Sequence, residues 1–312
     1  MYNIAFEDEW EFVENGHLRT SIDVSQVVEV PAAGEDRATV FDLEILLEAE
    51  MMREACASGN LIAVQSVFQT QWLDQPADER IGQSELGASG LCEALRRDDA
   101  VIAGYLLSSV LAMEQVHFGM ATEYRAFSIL QLYVDRDWDS NMYLSRMQPP
   151  ALSVAIKDTD LVLWFLSHGA NPNATYGLDK TPLSIAVRDA SFDVIRILFD
   201  HGGSIEYGQL LHFAAIRGLP DRLDVLNYLL NKGAPVNKLM FENDMNSYEQ
   251  EEMYGLGTPL HSAASAGCLG MTDMLLSRGA DPSIRNSRGK LAVEEAEYHG
   301  WSEVINRLRS LS

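Results

Sequence analysis

At eight places spread along this chain, one per repeating unit, an apolar residue is followed three positions later by alanine. The pairs are Met52/Ala55, Leu91/Ala94, Phe118/Ala121, Leu152/Ala155, Leu183/Ala186, Leu211/Ala214, Leu260/Ala263 and Val293/Ala296. Residues three apart share one face of a helix. About nineteen residues later, in the five units from Phe118 to Leu260, comes a turn after an apolar pair: "RDWDSN", "HGANPN", "HGGSIE", "KGAPVN" and "RGADPS". Its glycines Gly169, Gly202, Gly233 and Gly279 are spaced by 33, 31 and 46 residues, the last being one period plus thirteen extra. A unit of this length cannot bury its apolar face alone. Neighbouring units must stack to make one continuous core.

The text "GTPLHSAASAG…MLLSRGADPS" (Gly257 to Ser283) and the copy "KTPLSIAV…ILFDHGG" resemble the ankyrin-repeat family. The resemblance covers Ala151 to Leu308 well and Met52 to Asn141 through degenerate copies. It implies an all-α solenoid of about eight helix pairs. We expect three regions: an acidic extended or hairpin segment at 1–40, degenerate repeats at 41–146, and well-formed repeats at 147–312 with an insert at 238–257. Within a well-formed unit, Thr258 can cap the first helix and Pro259 suits its first turn, where the missing N–H needs no partner. The resemblance also implies that His261 bonds the neighbouring turn. Ala263 and Ala264 permit close helix approach, and Gly279 supplies a left-handed residue after the second helix. The insert, ending in "GLGTPLH", resembles those in ankyrin proteins of filamentous fungi.

A net charge of −23 argues against nucleic-acid backbones and anionic membranes as partners. Thirteen of the acids lie in residues 1–50 against two arginines. Three widely spaced cysteines form no disulfide framework or zinc spacing. The start "MYNIAFEDEWEF" has neither the basic end nor the apolar core of a signal peptide. The run "VIAGYLLSSVLAM" is too short and polar to span a bilayer. A cytoplasmic or nuclear setting is expected. Of seven histidines, His168, His201, His212 and His261 occupy repeated positions, so no metal site is expected, nor any cofactor or catalytic residue. The glycines of "IGQSELGASG" lack the Lys-Ser or Lys-Thr of a phosphate loop.

The first forty residues follow another rule. "EWEFVENGHLRTSIDV" alternates around Asn15-Gly16 as a hairpin does, and "SQVVEVP" reads as a third extended piece. Together they suit a strand-rich cap.

Function must come from variable positions on this shared frame. The resemblance places recognition on hairpin tips and at the ends of first helices. Carried over here, these positions include Lys157, Arg188, Ile216, Arg217 and Tyr298 on helices, and Leu178, Lys180, Arg288 and Lys290 at tips. Their basic members suggest a locally positive groove for an acidic protein segment. The insert adds Phe241, Tyr248, Met253 and Tyr254, with Phe241 and Tyr248 as packed anchors and the rest as a rim. Two functions fit: a binding module for a protein partner, or a motif-less enzyme or small-molecule binder of fungal specialised metabolism. The second requires an enclosed apolar pocket, because shape alone would have to position the substrate.

Overall fold

All eight alanine markers lie on helices that open a pair. Fifteen of the sixteen marker residues are buried, with Val293 half-buried. The computed structural model describes residues 47, 49–70, 83–109, 111, 113–145, 148–177 and 179–311. The expected hairpin about Asn15-Gly16 and the extended piece after it lie outside the described residues.

The pairs follow in chain order. A helix over 49–57 (α1) pairs with α2 (Leu61–Phe68), α3 (Gln83–Arg96) with α4 (Ala100–Ser109), and α5 (Gln115–Glu123) with α6 (Phe127–Val134). Next come α7 (Ala151–Ala155) with α8 (Thr159–Ser167), α9 (Pro182–Asp189) with α10 (Phe192–Asp200), and α11 (Leu210–Ala215) with α12 (Arg222–Asn231). A short helix of the insert, α13 (Met245–Glu251), precedes α14 (Pro259–Ser265) with α15 (Leu269–Ser277), and α16 (Ala292–His299) with α17 (Ser302–Arg309). Among the described residues that makes eight pairs, as the repeat count implies.

Local chemistry sets the boundaries. Asn60, Asp158 and Ser191 cap α2, α8 and α10 by accepting from backbone N–H groups one turn on. Thr181 and Ser184 form a reciprocal capping box across the first turn of α9, which Pro182 opens. Gly279 closes α15 at φ +88°, a conformation that costs a side chain energy. In the degenerate third unit Asp137 fills the same place at φ +57°.

The turns are laced together. Asn141 donates to Gly169 O (3.1 Å) and accepts from Asn171 N–H (2.6 Å). Asn173 repeats this with Gly202 and Ser204, and Asn237 with Gly279 and Asp281. The rung to Gly233 is missing: Glu206 stands where asparagine would, and the receiving position is Pro235, which has no N–H.

One hydrophobic core runs from Met52 to Leu308, so degenerate and regular units share it. Where leucines are scarce, rings fill the space. Phe118 lies 5.3 Å from Tyr133 and 5.9 Å from Phe165, edge to face with the latter. Between pairs the chain turns out into hairpins. The strands β1 (Tyr143–Ser145) and β2 (Gln148–Pro150) pair antiparallel, and the bridges Tyr176–Lys180 and Arg285–Leu291 mark the same finger in later units. The insert occupies one such finger.

Candidate functional site

The insert closes at its base where Met240 N–H donates to Gly257 O at 2.9 Å. On its upstream side it is tied to two earlier fingers. Phe241 N–H donates to Gln209 Oε1 (3.2 Å), and Gln209 Nε2 donates to Asp179 Oδ2 (2.6 Å). All three residues have left-handed backbones, φ +60°, +55° and +44°, a conformation rare for side-chain-bearing residues. Phe241 is buried, Tyr248 half-buried. Asp244 caps α13 through Ser247, accepting from its N–H and its hydroxyl. Downstream, Ser287 stitches the insert to the next finger. Its Oγ donates to Glu252 O (2.6 Å) and accepts from Leu256 N–H (2.8 Å), while its own N–H donates to Leu256 O (3.0 Å). A Cβ on Gly255 would come within 3.1–3.2 Å of Asn286 and Arg288, so the two fingers touch there.

The other face of the insert points outward. Met245 and Met253 are 69% exposed and Tyr254 58%. Glu242, Glu249 and Glu252 are exposed beside them. Burial pushes the Asp179 carboxyl above the usual range, and the charge of Asp244 adds to it.

Along the first helices the expected recognition residues divide. Lys157 is exposed in the turn after α7, and Tyr298 is exposed at the end of α16 with the Lys290 ammonium 5.3 Å from its ring centre. Arg188 and Ile216 are half-buried; Arg188 Nε donates to Asp189 Oδ2 at 2.8 Å. Leu178 lies outside the described residues.

Two expectations need correction. Arg217 does not face a groove: its side chain is fully buried. It donates to Val187 O (2.8 Å), Ala190 O (2.6 Å) and both oxygens of Asp221 (2.8 Å each). The physical reason is that α11 stops at Ala215, so Arg217 turns back and satisfies carbonyls left open at the end of α9. Asp221, four residues on, was the available signal. Lys180 is also buried, because its finger folds against its neighbours, with Glu251 of the insert near it.

The repeated histidines are structural. His212 Nε2 donates to Gly257 O and His261 Nε2 to Lys290 O, each at 3.1 Å. Thr258 N–H donates to His261 Nδ1 (3.1 Å), which fixes that tautomer. Burial pulls both imidazole pKa values down, His212 to about 4. Among the described residues no cluster could hold a metal ion, and no helix is long and apolar enough to cross a membrane. A cleft of about 20 Å³ beside the insert, lined by Gln209, His212 and Lys238, has room for roughly one water.

Stacked helix pairs joined by laced turns, with hairpin fingers on one side, define a helical repeat solenoid. Family models for ankyrin repeats match residues 151–240, in three copies, and 242–296. The chain is an ankyrin-repeat protein. It is 44% identical over 54 residues to a probable E3 ubiquitin-protein ligase of Oryza sativa subsp. japonica, covering 17% of this chain and 10% of that protein. Over 80 residues it is 39% identical to a palmitoyltransferase of Drosophila melanogaster, covering 26% and 10%. Over 56 residues it is 41% identical to an espin-like protein of Homo sapiens, covering 18% and 6%. The chain thus spans a tenth or less of these relatives' lengths. What is shared is the repeat.

Proposed function

We propose that the chain is a binding module without chemistry of its own. It recognises a protein segment along the insert rim, the finger at 286–290 and the end of α16. The observation that carries this reading is the rim itself. Met253 and Tyr254 stay exposed although Ser287 and Gln209 hold the insert's two flanks against the array. A rigid backing under exposed aromatic and thioether groups suits recognition, because little conformational freedom is lost on binding. The acidic partner expected from sequence rested on six cations. Arg217 and Lys180 are buried, Arg188 is bonded to Asp189, and Lys290 leans over Tyr298. Lys157 and Arg288 stay exposed, too few for a basic stripe, so the apolar rim takes the leading part. The small-molecule alternative calls for an enclosed chamber; the cleft beside the insert is too small for a substrate, and the hollow of about 350 Å³ lined by Leu276, Arg307 and Leu311 lies open to solvent. Three unpaired cysteines support a cytoplasmic or nuclear setting.

The test is affinity capture from native lysate with the full chain and its Y254A/Y298A variant. Both side chains are exposed, so the variant keeps the fold. We expect discrete protein partners that the variant loses. No captured protein, or an unchanged set, would contradict the reading.

A further inference from the structure

Helical spacing sorts the insert into two faces. Ser247, Tyr248 and Glu251 turn inward, while Met245 and Glu249, four apart on α13, are exposed, as are Glu252 and Met253 in the 3-10 turn that follows it. Both methionines are more exposed than any other large apolar side chain among the described residues except Ile62. The acids around them differ from many elsewhere on the array. Asp158, Asp221, Asp273, Glu294 and Glu297 have arginine partners, whereas Glu242, Glu249 and Glu252 have none among the described residues.

We propose that this face is a docking surface for a basic amphipathic helix, one that sets apolar side chains on Met245 and Met253 and Lys or Arg against the three glutamates. The inference rests on the binding-module reading and names its partner's chemistry. Thioether chains adapt to varied apolar anchors, because they are flexible and polarisable. Unpaired carboxylates around an apolar strip favour a cationic partner and exclude an acidic one. The strip from Met245 to Met253 is roughly 12 Å long at the α-helical rise, so a partner helix of about two turns would cover it. The Ser287 and Gln209 ties keep the surface in place before the partner arrives.

The experiment measures binding of a fluorescein-labelled amphipathic peptide built only of leucine and lysine to the full chain by anisotropy. Its leucine–glutamate counterpart is the control. We expect saturable binding that weakens about tenfold in E249K/E252K and in M245S/M253S, and falls with added salt. D200K/E303K moves the same charge at two exposed acids on other helices and is expected to leave the affinity unchanged. The proposal is overturned by an absence of saturable binding, by equal losses in both charge variants, or by equal binding of the glutamate peptide. The two readings fail separately. Lysate partners that E249K/E252K keeps but Y254A/Y298A loses would overturn this inference and leave the module reading standing. A wild-type chain that captures nothing would remove the module reading itself.

Discussion

Arg217 and His212 sit five residues apart, and each satisfies backbone carbonyls of another unit. Replacing Arg217 by alanine strands Val187 O and Ala190 O and removes the partner of Asp221, whose carboxyl Arg217 holds below the usual range. We expect a loss of about 3 kcal/mol, read as a lower urea midpoint, since hydrogen bonds to a buried charge are the costly ones to break. R217K should recover only part of it, because an ammonium lacks the fork that reaches both carbonyls and the carboxylate. His212 acts through protons. Its folded-state pKa is about 4, below the ordinary 6.5, so the unfolded chain binds the extra proton first as pH falls. Its contribution is complete above pH 6.5 and is lost between there and about 4, at roughly 1.4 kcal/mol per pH unit. His261, also lowered, adds in the same direction. Asp179, pushed up, acts oppositely: its cost to the fold is present above its raised folded value and is relieved as pH falls from there to the ordinary 3.8. Urea midpoints at pH 7 and 5 should therefore differ in the wild type and differ less in H212Q.

At the scale of the element, the insert is a finger with its own helix and two sets of ties. Replacing Lys238–Leu256 by a short turn removes buried Phe241 and Leu256 but leaves Gly257 O for His212. We expect a single cooperative transition with a loss of about 3–6 kcal/mol, the order of two buried apolar side chains, and helical content otherwise kept. Broad or stepwise melting would show that the insert clamps the array. The insert's place was legible in the sequence because thirteen extra residues break a fixed period. Its ties were not: nothing near Ser287 in the chain announces Glu252, 35 positions away. The same limit explains the two misplaced cations. Repeat position predicts which side of a helix Arg217 leaves, but not that α11 ends at Ala215 or that the α9 carbonyls wait for it. The alanine markers read well because they report contacts that every unit repeats.

For the whole molecule, stability is a sum of units and of interfaces between them. Ala263 is fully buried where α14 packs between its neighbours. A263L should overpack that interface and cost about 1–3 kcal/mol, checked by thermal melting. The frame therefore constrains sequence at its interfaces and leaves the fingers free to vary. On the binding-module reading the insert rim meets a protein. The most direct measurement puts a photo-crosslinking amino acid at Met253 of the full chain, and in a second sample at exposed Glu303, and irradiates each in native lysate. A discrete protein adduct is expected from position 253 that position 303 does not give. No adduct at 253, or the same adducts from both, would contradict it.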